Sequence, residues 1–292
     1  MWIVLALLAA CASAGTSLLL KRAVGLGGAV VSTVAFRMVA GLLLAAAFVA
    51  LGTHPALTPA YWRTLAVVVP NEIGGMVCLS LALSTGEVSA VQPIMGLIPL
   101  FTMAGGVLFL HEVPSVLAVG GIVLVAVGLY AVGLRAGASA LEPIRAFATS
   151  RASWYALLAA LFWTVTSLLH KVGIAIVGPT AWAVSLTLGS AVVLACALPV
   201  VAWRGGGLDL PVRLAPWVRV IALTGFCFAV QQLGLHNALR RSQAGYVMAV
   251  VSMSILIALT IGVLVFREQG GAHRIAGALL VTGGVAVIAL FG

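Results

Sequence analysis

The hydrophobic pattern of this chain consists of long apolar runs separated by short segments of turn residues or charges. The runs lack the strict alternation of apolar and polar positions that is typical of membrane β-barrels. In lipid, runs of this length cross as helices, because every backbone N–H and C=O needs a partner within the segment. Ten spans are predicted, at about 2–20, 30–51, 63–84, 88–109, 115–134, 154–170, 180–203, 217–239, 244–266 and 272–291.

The two halves of the chain repeat one pattern. Residues 7–21 read LLAACASAGTSLLLK and residues 157–171 read LLAALFWTVTSLLHK, so nine of the fifteen positions are identical. Residues 108–112, LFLHE, likewise match residues 264–268, LVFRE. Because each half holds five predicted helices, the second copy enters the membrane the opposite way round. Inverted repeats of this kind are typical of secondary transporters, whose substrate sites lie at the repeat interface.

The predicted fold is therefore an all-α polytopic membrane protein. It consists of ten transmembrane helices, arranged as two inverted five-helix repeats around a central cavity. The predicted boundaries are 1–134 for the first repeat, 135–153 for the linker and 154–292 for the second repeat.

The composition fits lipid as the main solvent. Hydrophobic residues make up 63% of the chain and charged residues 7%, whereas soluble domains carry about 45–50% and about 25%. The net charge of +9 does not indicate nucleic-acid binding, since the basic residues stand singly or in pairs between apolar runs. The four cysteines lie in apolar runs and are interpreted as packing residues. No cofactor or metal site is expected, because the five histidines are scattered.

The third predicted span holds the most informative polar residues, in VVVPNEIGGM at 67–76. Pro70 removes a backbone donor, which costs about 3 kcal/mol or more inside an ordinary helix, and Gly74 and Gly75 follow it. We therefore expect a break beside Asn71 and Glu72. A broken helix next to a buried acid is typical of a binding or coupling site. Hinge candidates are Pro70, Gly74, Gly75 and, in the fourth span, Pro99.

Glu72 has two interpretations. As a functional residue, it carries a proton or binds a substrate ammonium. As a structural residue, it forms an ion pair with Arg37, the one basic residue well inside a predicted span. At 1.5 Å per residue the two positions differ by roughly 8 Å in depth, a separation that long side chains can bridge.

Other polar residues complete the candidate site. Gln231 and Gln232 lie within the eighth span and need partners there, either in the cavity or between helices. His236 lies near the end of that span, where an interfacial role is favoured. Trp163 stands in mid-span among hydroxyl-bearing residues and is interpreted as part of the cavity wall.

Lys21 and Lys171 are the chain's two lysines, and they occupy equivalent positions in the two repeats. Each is predicted to end the first helix of its repeat, where a cation is favoured. The alternative is a shared gating role at the two ends of the pathway. Glu112 and Glu268 follow the fourth span of each repeat and are interpreted as local caps or ion-pair partners.

Several of these motifs resemble the EamA branch of the drug/metabolite transporter superfamily. They are the arginine in AFRMVAG (35–41), Pro99 in GLIPLF (96–101), the Glu of HEVPS (111–115) and of REQGG (267–271), the glycine-rich runs GGIVLVAVGLY (120–130) and AGALLVTGGVAV (276–287), and Trp163 in LFWTVTS (161–167). In the first repeat Ser13 stands where this tryptophan would be. The resemblance implies ten helices, a central cavity and the transport of small organic solutes such as amino acids, metabolites or drugs.

The expected function is therefore a secondary transporter, an exporter of such solutes that works by alternating access. The alternative within this class is a flippase for a lipid-linked or amphiphilic substrate. An enzyme is not expected, because Asp209 is the one aspartate and no GxSxG element occurs. Nothing in the sequence indicates the rings of charges or carbonyls that an ion channel needs.

The expected partners are a small organic substrate, the lipid bilayer and, if Glu72 couples transport, protons; nucleic acid is excluded. A monomer is expected, and a dimer is left open. The expected location is a bacterial inner membrane. Loop charges favour both termini outside the cytoplasm, whereas the family resemblance favours cytoplasmic termini, and the second expectation is adopted.

Overall fold

The computed structural model describes residues 1–52, 55–85, 88–133, 150–205, 210–266 and 272–292, which form helices with no strand among them. Glu268 and most of the predicted linker lie outside the described residues. The helices are α1 (Trp2–Gly27), α2 (Ala29–Ala50), α3 (Pro59–Thr85), α4 (Val88–Met95), α5 (Ile98–Leu110), α6 (Val116–Gly133), α7 (Arg151–Val177), α8 (Pro179–Gly205), α9 (Leu214–Leu239), α10 (Ala244–Val251), α11 (Met253–Phe266) and α12 (Ala272–Phe291).

Each predicted apolar stretch coincides with a helix or with a consecutive pair of helices. In the described part of the chain, eight segments are long and apolar enough to cross a membrane, and two shorter apolar helices, Val116–Val132 and Ile275–Phe291, accompany them. α7 begins earlier than the apolar pattern indicated, because the Ser150 side chain accepts the N–H of Ser153 and caps the helix. The polar residues of the first turn are thereby included in the helix.

The helix breaks lie in the fourth apolar stretch of each half, and the expected break at Pro70 was wrong. α3 continues through Pro70, whose ring is exposed on the outer side of the helix. A proline removes only one donor from the hydrogen-bond ladder. The chain instead breaks between α4 and α5, at Gly96 and Leu97, and between α10 and α11, at Ser252. Pro99 lies in the first turn of α5, a position that proline suits.

The helices of the two halves pack against each other reciprocally. α1 packs against α9 of the second half, and α7 of the second half packs against α3 of the first. α2 packs against its counterpart α8, and α6 against its counterpart α12. The split fourth stretches follow the same rule, since α4 and α5 contact α7, whereas α10 and α11 contact α1. Each half therefore contacts the other through equivalent helices.

The two ends of the helix bundle carry different segments. At one end Trp2 stacks on Tyr246, and the Ser115 hydroxyl donates to the carbonyl of Phe291 at 2.6 Å. We call this end, with both chain termini and the 111–115 loop, the terminal face. The opposite end, where α1 stops at Gly27 and α7 starts at Arg151, is the linker face.

α6 and α12 pack closely and antiparallel through paired glycines. A Cβ on Gly121 would lie 2.8 Å from the carbonyl oxygen of Gly284, and a Cβ on Gly128 would lie 2.7 Å from that of Gly277. These distances are shorter than real side-chain atoms adopt, so the backbones approach as in small-residue helix interfaces of membrane proteins. The pairing of earlier with later residues fixes the opposite directions of the two helices.

Alanine at this interface is expected to destabilise the protein. Gly121→Ala and Gly284→Ala force two backbones apart, and overpacking of this kind costs typically about 1–3 kcal/mol. Their neighbours Gly120 and Gly283 are matched controls, because a Cβ there meets no atom within 4 Å. Alanine at the controls is expected to be neutral or to stabilise by about 0.4–1 kcal/mol. Thermal unfolding in detergent measures the difference, and equal Tm values for Gly121→Ala and Gly120→Ala would contradict this packing.

The hydrophobic core divides toward the linker face. The largest cluster joins both halves and includes Ala6, Leu168 and Tyr246. Toward the linker face, one cluster joins α1, α2 and α9 through residues such as Ala23, Phe36 and Trp217, with Ala183 of α8 packed into it. A separate cluster joins α3, α4 and α7 through residues such as Ala82, Ile94 and Ala156. We refer to α1, α2 and α9 as the α1 group, and to α3, α4, α5 and α7 as the α3 group.

Candidate functional site

Arg37 and Glu72 form an ion pair inside the bundle. Nη2 of Arg37 lies 3.1 Å from Oε1 of Glu72, and the two side chains are 6% and 15% exposed. This direct contact between α2 and α3 agrees with the structural interpretation of Glu72, in which it is the ion-pair partner of Arg37. Because Glu72 retains some exposure, the pair also remains open to a solute or a proton, so the contact does not exclude the functional interpretation.

The Arg37 guanidinium contacts helices of both halves of the chain. Nη1 donates to the hydroxyl of Ser190 in α8 at 2.9 Å, and Nη2 also lies 3.2 Å from the sulfur of Met76 in α3. The carbon at the centre of the guanidinium stands 5.0 Å from the ring centroid of Phe228 in α9, a cation–π distance. A charge inside a membrane protein needs such partners. Arg37 therefore lies where the α1 group, the α3 group and α8 meet.

Asn71 joins α3 to α7. Its side-chain nitrogen donates to the carbonyl oxygen of Phe162 and to the hydroxyl of Thr166, the latter at 2.6 Å. One turn further, a Cβ on Gly75 would lie 2.9 Å from Nε1 of Trp163, so the indole packs directly on the α3 backbone. Asn71 and Trp163 thus meet along the α3–α7 contact, and both remain half-buried.

Replacing Asn71 with leucine is expected to loosen the α3–α7 contact. The change removes two interhelical hydrogen bonds, and such bonds in membrane proteins contribute about 0.6 kcal/mol on average and up to about 1.7 kcal/mol. We expect a loss of about 1–2 kcal/mol in thermal unfolding, and a smaller additional loss from Thr166→Val in the Asn71→Leu background than in the wild type. Unchanged stability would show that the two bonds do not hold the helices together.

The glutamines and the histidine of α9 lie apart from the ion pair. Gln232 is buried and Gln231 is half-buried, and within the described residues neither side chain bonds to Arg37 or Glu72. His236, expected near the membrane interface, is fully buried against His170 of α7. α9 continues to Leu239, so His236 lies in its last turn.

His236 belongs to a buried polar cluster that the sequence did not indicate. Its ring lies 4.7 Å from that of His170, centroid to centroid and edge to face. Nδ1 of His170 accepts a hydrogen bond from Nε1 of Trp182 at 3.1 Å. In α3, the Tyr61 hydroxyl completes this region by donating to Ser185 at 2.8 Å. The one hint of this cluster in the sequence is that His170 directly precedes Lys171.

The two lysines lie before the ends of their helices, contrary to the prediction that they end them. α1 continues to Gly27 and α7 to Val177, six residues beyond Lys21 and Lys171. The residues that follow each lysine are mostly apolar and glycine, and they extend the helix past the charge. Lys21 is exposed near the linker face. Lys171 forms an ion pair with Glu112 and donates to the carbonyl oxygen of Ser242 at 2.8 Å, near the terminal face.

Comparison with known proteins gives one family. The model of the EamA-like transporter family matches residues 1–134 and 150–290. A solved structure titled "Crystal structure of protein" is similar in fold, with a TM-score of 0.77 and 17% sequence identity over 100% of this chain and 99% of the other. No curated protein matches the chain.

Proposed function

Because this chain belongs to the EamA-like transporter family and is a multi-pass membrane transporter, we propose that it exports small organic solutes by alternating access. The observation that carries this proposal is the Arg37–Glu72 ion pair at the junction of the two helix groups. Charged side chains inside membrane proteins generally mark substrate or ion pathways. The pair is the proposed substrate-binding and coupling centre.

The proposed topology is ten membrane spans in two inverted repeats. In this topology α4 with α5 and α10 with α11 each form one broken span, as discontinuous helices do in transporters with inverted repeats. The reciprocal packing of the halves supports the repeat. The antiparallel contact of α6 with α12 supports its inversion, because these helices carry matching glycines in the two halves. Two inverted copies can exchange conformations and thereby open alternately to either side.

The proposed cavity lies between the α1 group and the α3 group and opens toward the linker face. The division of the core into two clusters at that end supports this position. The half-buried side chains of Glu72, Trp163 and Gln231 are the proposed lining. At the terminal face, the joint core cluster keeps the two groups together.

The charged centre favours a small polar solute over a lipid-linked one. A solute that enters the cavity meets a guanidinium, a carboxylate and, on the α7 side, an aromatic ring, and these groups bind small molecules with both charged and apolar parts. A lipid-linked substrate would bring long acyl chains to this polar junction. The flippase is therefore the alternative outcome of the test below.

The test is transport by the purified protein in proteoliposomes. A panel of amino acids, amines, sugars and nucleosides is added with and without a pH gradient, and radiolabelled exchange detects electroneutral carriers. We expect one solute class to be transported above protein-free liposomes and to be stimulated by the gradient. Exchange is then repeated from each side to give the direction. If no solute of the panel is transported and the protein instead scrambles a labelled amphiphilic lipid, the flippase replaces this proposal.

A further inference from the structure

The 111–115 loop of the first half is bound to the start of α10 in the second half by polar contacts. The backbone N–H of Ala244 donates to both carboxylate oxygens of Glu112, at 3.1 and 3.0 Å. The Gln243 side chain donates to the carbonyl of Val113 at 2.9 Å, and the N–H of Ser115 donates to the Tyr246 hydroxyl at 2.9 Å. Glu112 therefore caps a helix of the other repeat and not a local turn.

Lys171 completes this set of contacts. Its ammonium pairs with the Glu112 carboxylate and donates to the Ser242 carbonyl, just before α10. The Glu112 side chain is 9% exposed and that of Lys171 is 23% exposed. We call Glu112, Lys171 and the Ser242–Ala244 segment the latch. A charge-assisted hydrogen bond in such a shielded place is stronger than a neutral one.

The two charges of the latch lie on the same side of the contact. Glu112 follows α5, Lys171 lies in α7, and α5 packs against α7 within the α3 group. The Ser242–Ala244 segment connects α9 of the α1 group to α10, which packs against α1 on one side and against α5 on the other. If the two groups separate at the terminal face, Glu112 and Lys171 remain paired with each other. Separation breaks their hydrogen bonds to the backbone of residues 242–244, together with the Gln243–Val113 and Ser115–Tyr246 bonds, but it leaves no buried charge without a partner.

Resting on the transport cycle proposed above, we infer that Glu112 is a gating residue of the terminal face. Its carboxylate, held by Lys171, keeps the N-terminus of α10 against the α3 group while the linker face is open. The latch opens when the terminal face opens, and its strength sets the balance between the two conformations. Lys171 is a gating candidate from its sequence position alone; the structure adds the acid and the helix terminus that it contacts.

The test measures distances at both faces of the full chain. Spin labels are placed on Val113 and Arg240 for the terminal face, and on Ser84 and Leu214 for the linker face. All four positions are exposed, on opposite helix groups, and the native cysteines are replaced by alanine. Glu112→Gln keeps the size of the side chain and removes its charge. Lys171→Met is the second variant, and Arg63→Met, which removes an exposed cation near the start of α3, is the matched control.

Both latch variants are expected to raise the population with long Val113–Arg240 distances roughly tenfold, since hydrogen bonds to charged groups contribute that much. The Ser84–Leu214 distances should shorten in parallel, and the control should match the wild type. If Glu112 only capped α10 locally, its replacement would alter the Val113–Arg240 distances alone. Unchanged Ser84–Leu214 distances would therefore overturn the inference. The distances need no substrate, so a failure of the transport assay would refute the proposed function and leave this test intact.

Discussion

Replacing Glu72 with glutamine is expected to lower gradient-driven solute transport about 100-fold. Glutamine keeps the shape of the side chain and can still accept a hydrogen bond from Arg37, but it carries no charge. Loss of one partner of a buried charge pair costs about 2–5 kcal/mol, and each 1.4 kcal/mol corresponds to a tenfold change. Uptake of the transported solute into proteoliposomes, with and without the pH gradient, measures the effect.

Met76→Leu is the matched control for this variant. The Met76 sulfur contacts the same nitrogen of Arg37 that pairs with Glu72, at 3.2 Å, and leucine replaces it at similar size without changing any charge. Transport by this variant is expected to stay within about tenfold of the wild type, since volume-conserving changes usually cost less than about 1.5 kcal/mol. If Glu72→Gln transports as fast as Met76→Leu, Glu72 is a structural partner of Arg37 and another residue couples transport.

Replacing Arg37 with methionine is expected to destabilise the protein by about 3–5 kcal/mol, the usual effect of removing one partner of a buried ion pair. The change leaves the Glu72 carboxylate without its cation and the Ser190 hydroxyl without its donor. The Phe228 ring also loses its cation–π contact. Thermal unfolding in detergent measures the loss. Arg22→Met removes an exposed cation instead, and is expected to change stability by less than about 0.5 kcal/mol.

The double variant Arg37→Met with Glu72→Gln separates stability from transport. Because neither charge then remains, we expect it to regain most of the stability that Arg37→Met loses. Transport should stay absent, since the proposed binding centre is gone. A double variant that is stable and still transports would show that the ion pair only holds α2 against α3.

The charged residues of the site could be predicted from the sequence because a charged side chain is unusual inside an apolar span. Arg37 and Glu72 stand inside apolar spans, and consecutive helices run antiparallel, so a contact between them was one of the two interpretations that the sequence left open. Ser190 and Phe228 could not be predicted in the same way. A serine or a phenylalanine is compatible with any membrane helix. No feature of the neighbouring sequence shows that it lies against an arginine more than 150 residues away.

The helix breaks and the histidines show the same limit. Pro70 and the glycines after it favoured a break in α3, but one proline removes one hydrogen bond and α3 tolerates it. The break occurs at Gly96–Leu97, which lie between Pro93 and Pro99, and at Ser252, where no proline or glycine marks it. The burial of His236 depends on His170 of another helix, and the sequence carried no signal that paired them.

The sequence by itself determined the family, the membrane environment and the repeat, because these depend on the length, hydrophobicity and order of segments along the chain. Only the tertiary structure decided which helices of the two halves meet. It placed Glu112 of one repeat on the first turn of α10 of the other, and it buried Arg37 between three further helices. The physical reason is that a lipid-facing helix is apolar on every side. Its hydrophobic pattern therefore does not indicate its partner, and interfaces are selected by close packing and by the few polar groups that must be satisfied.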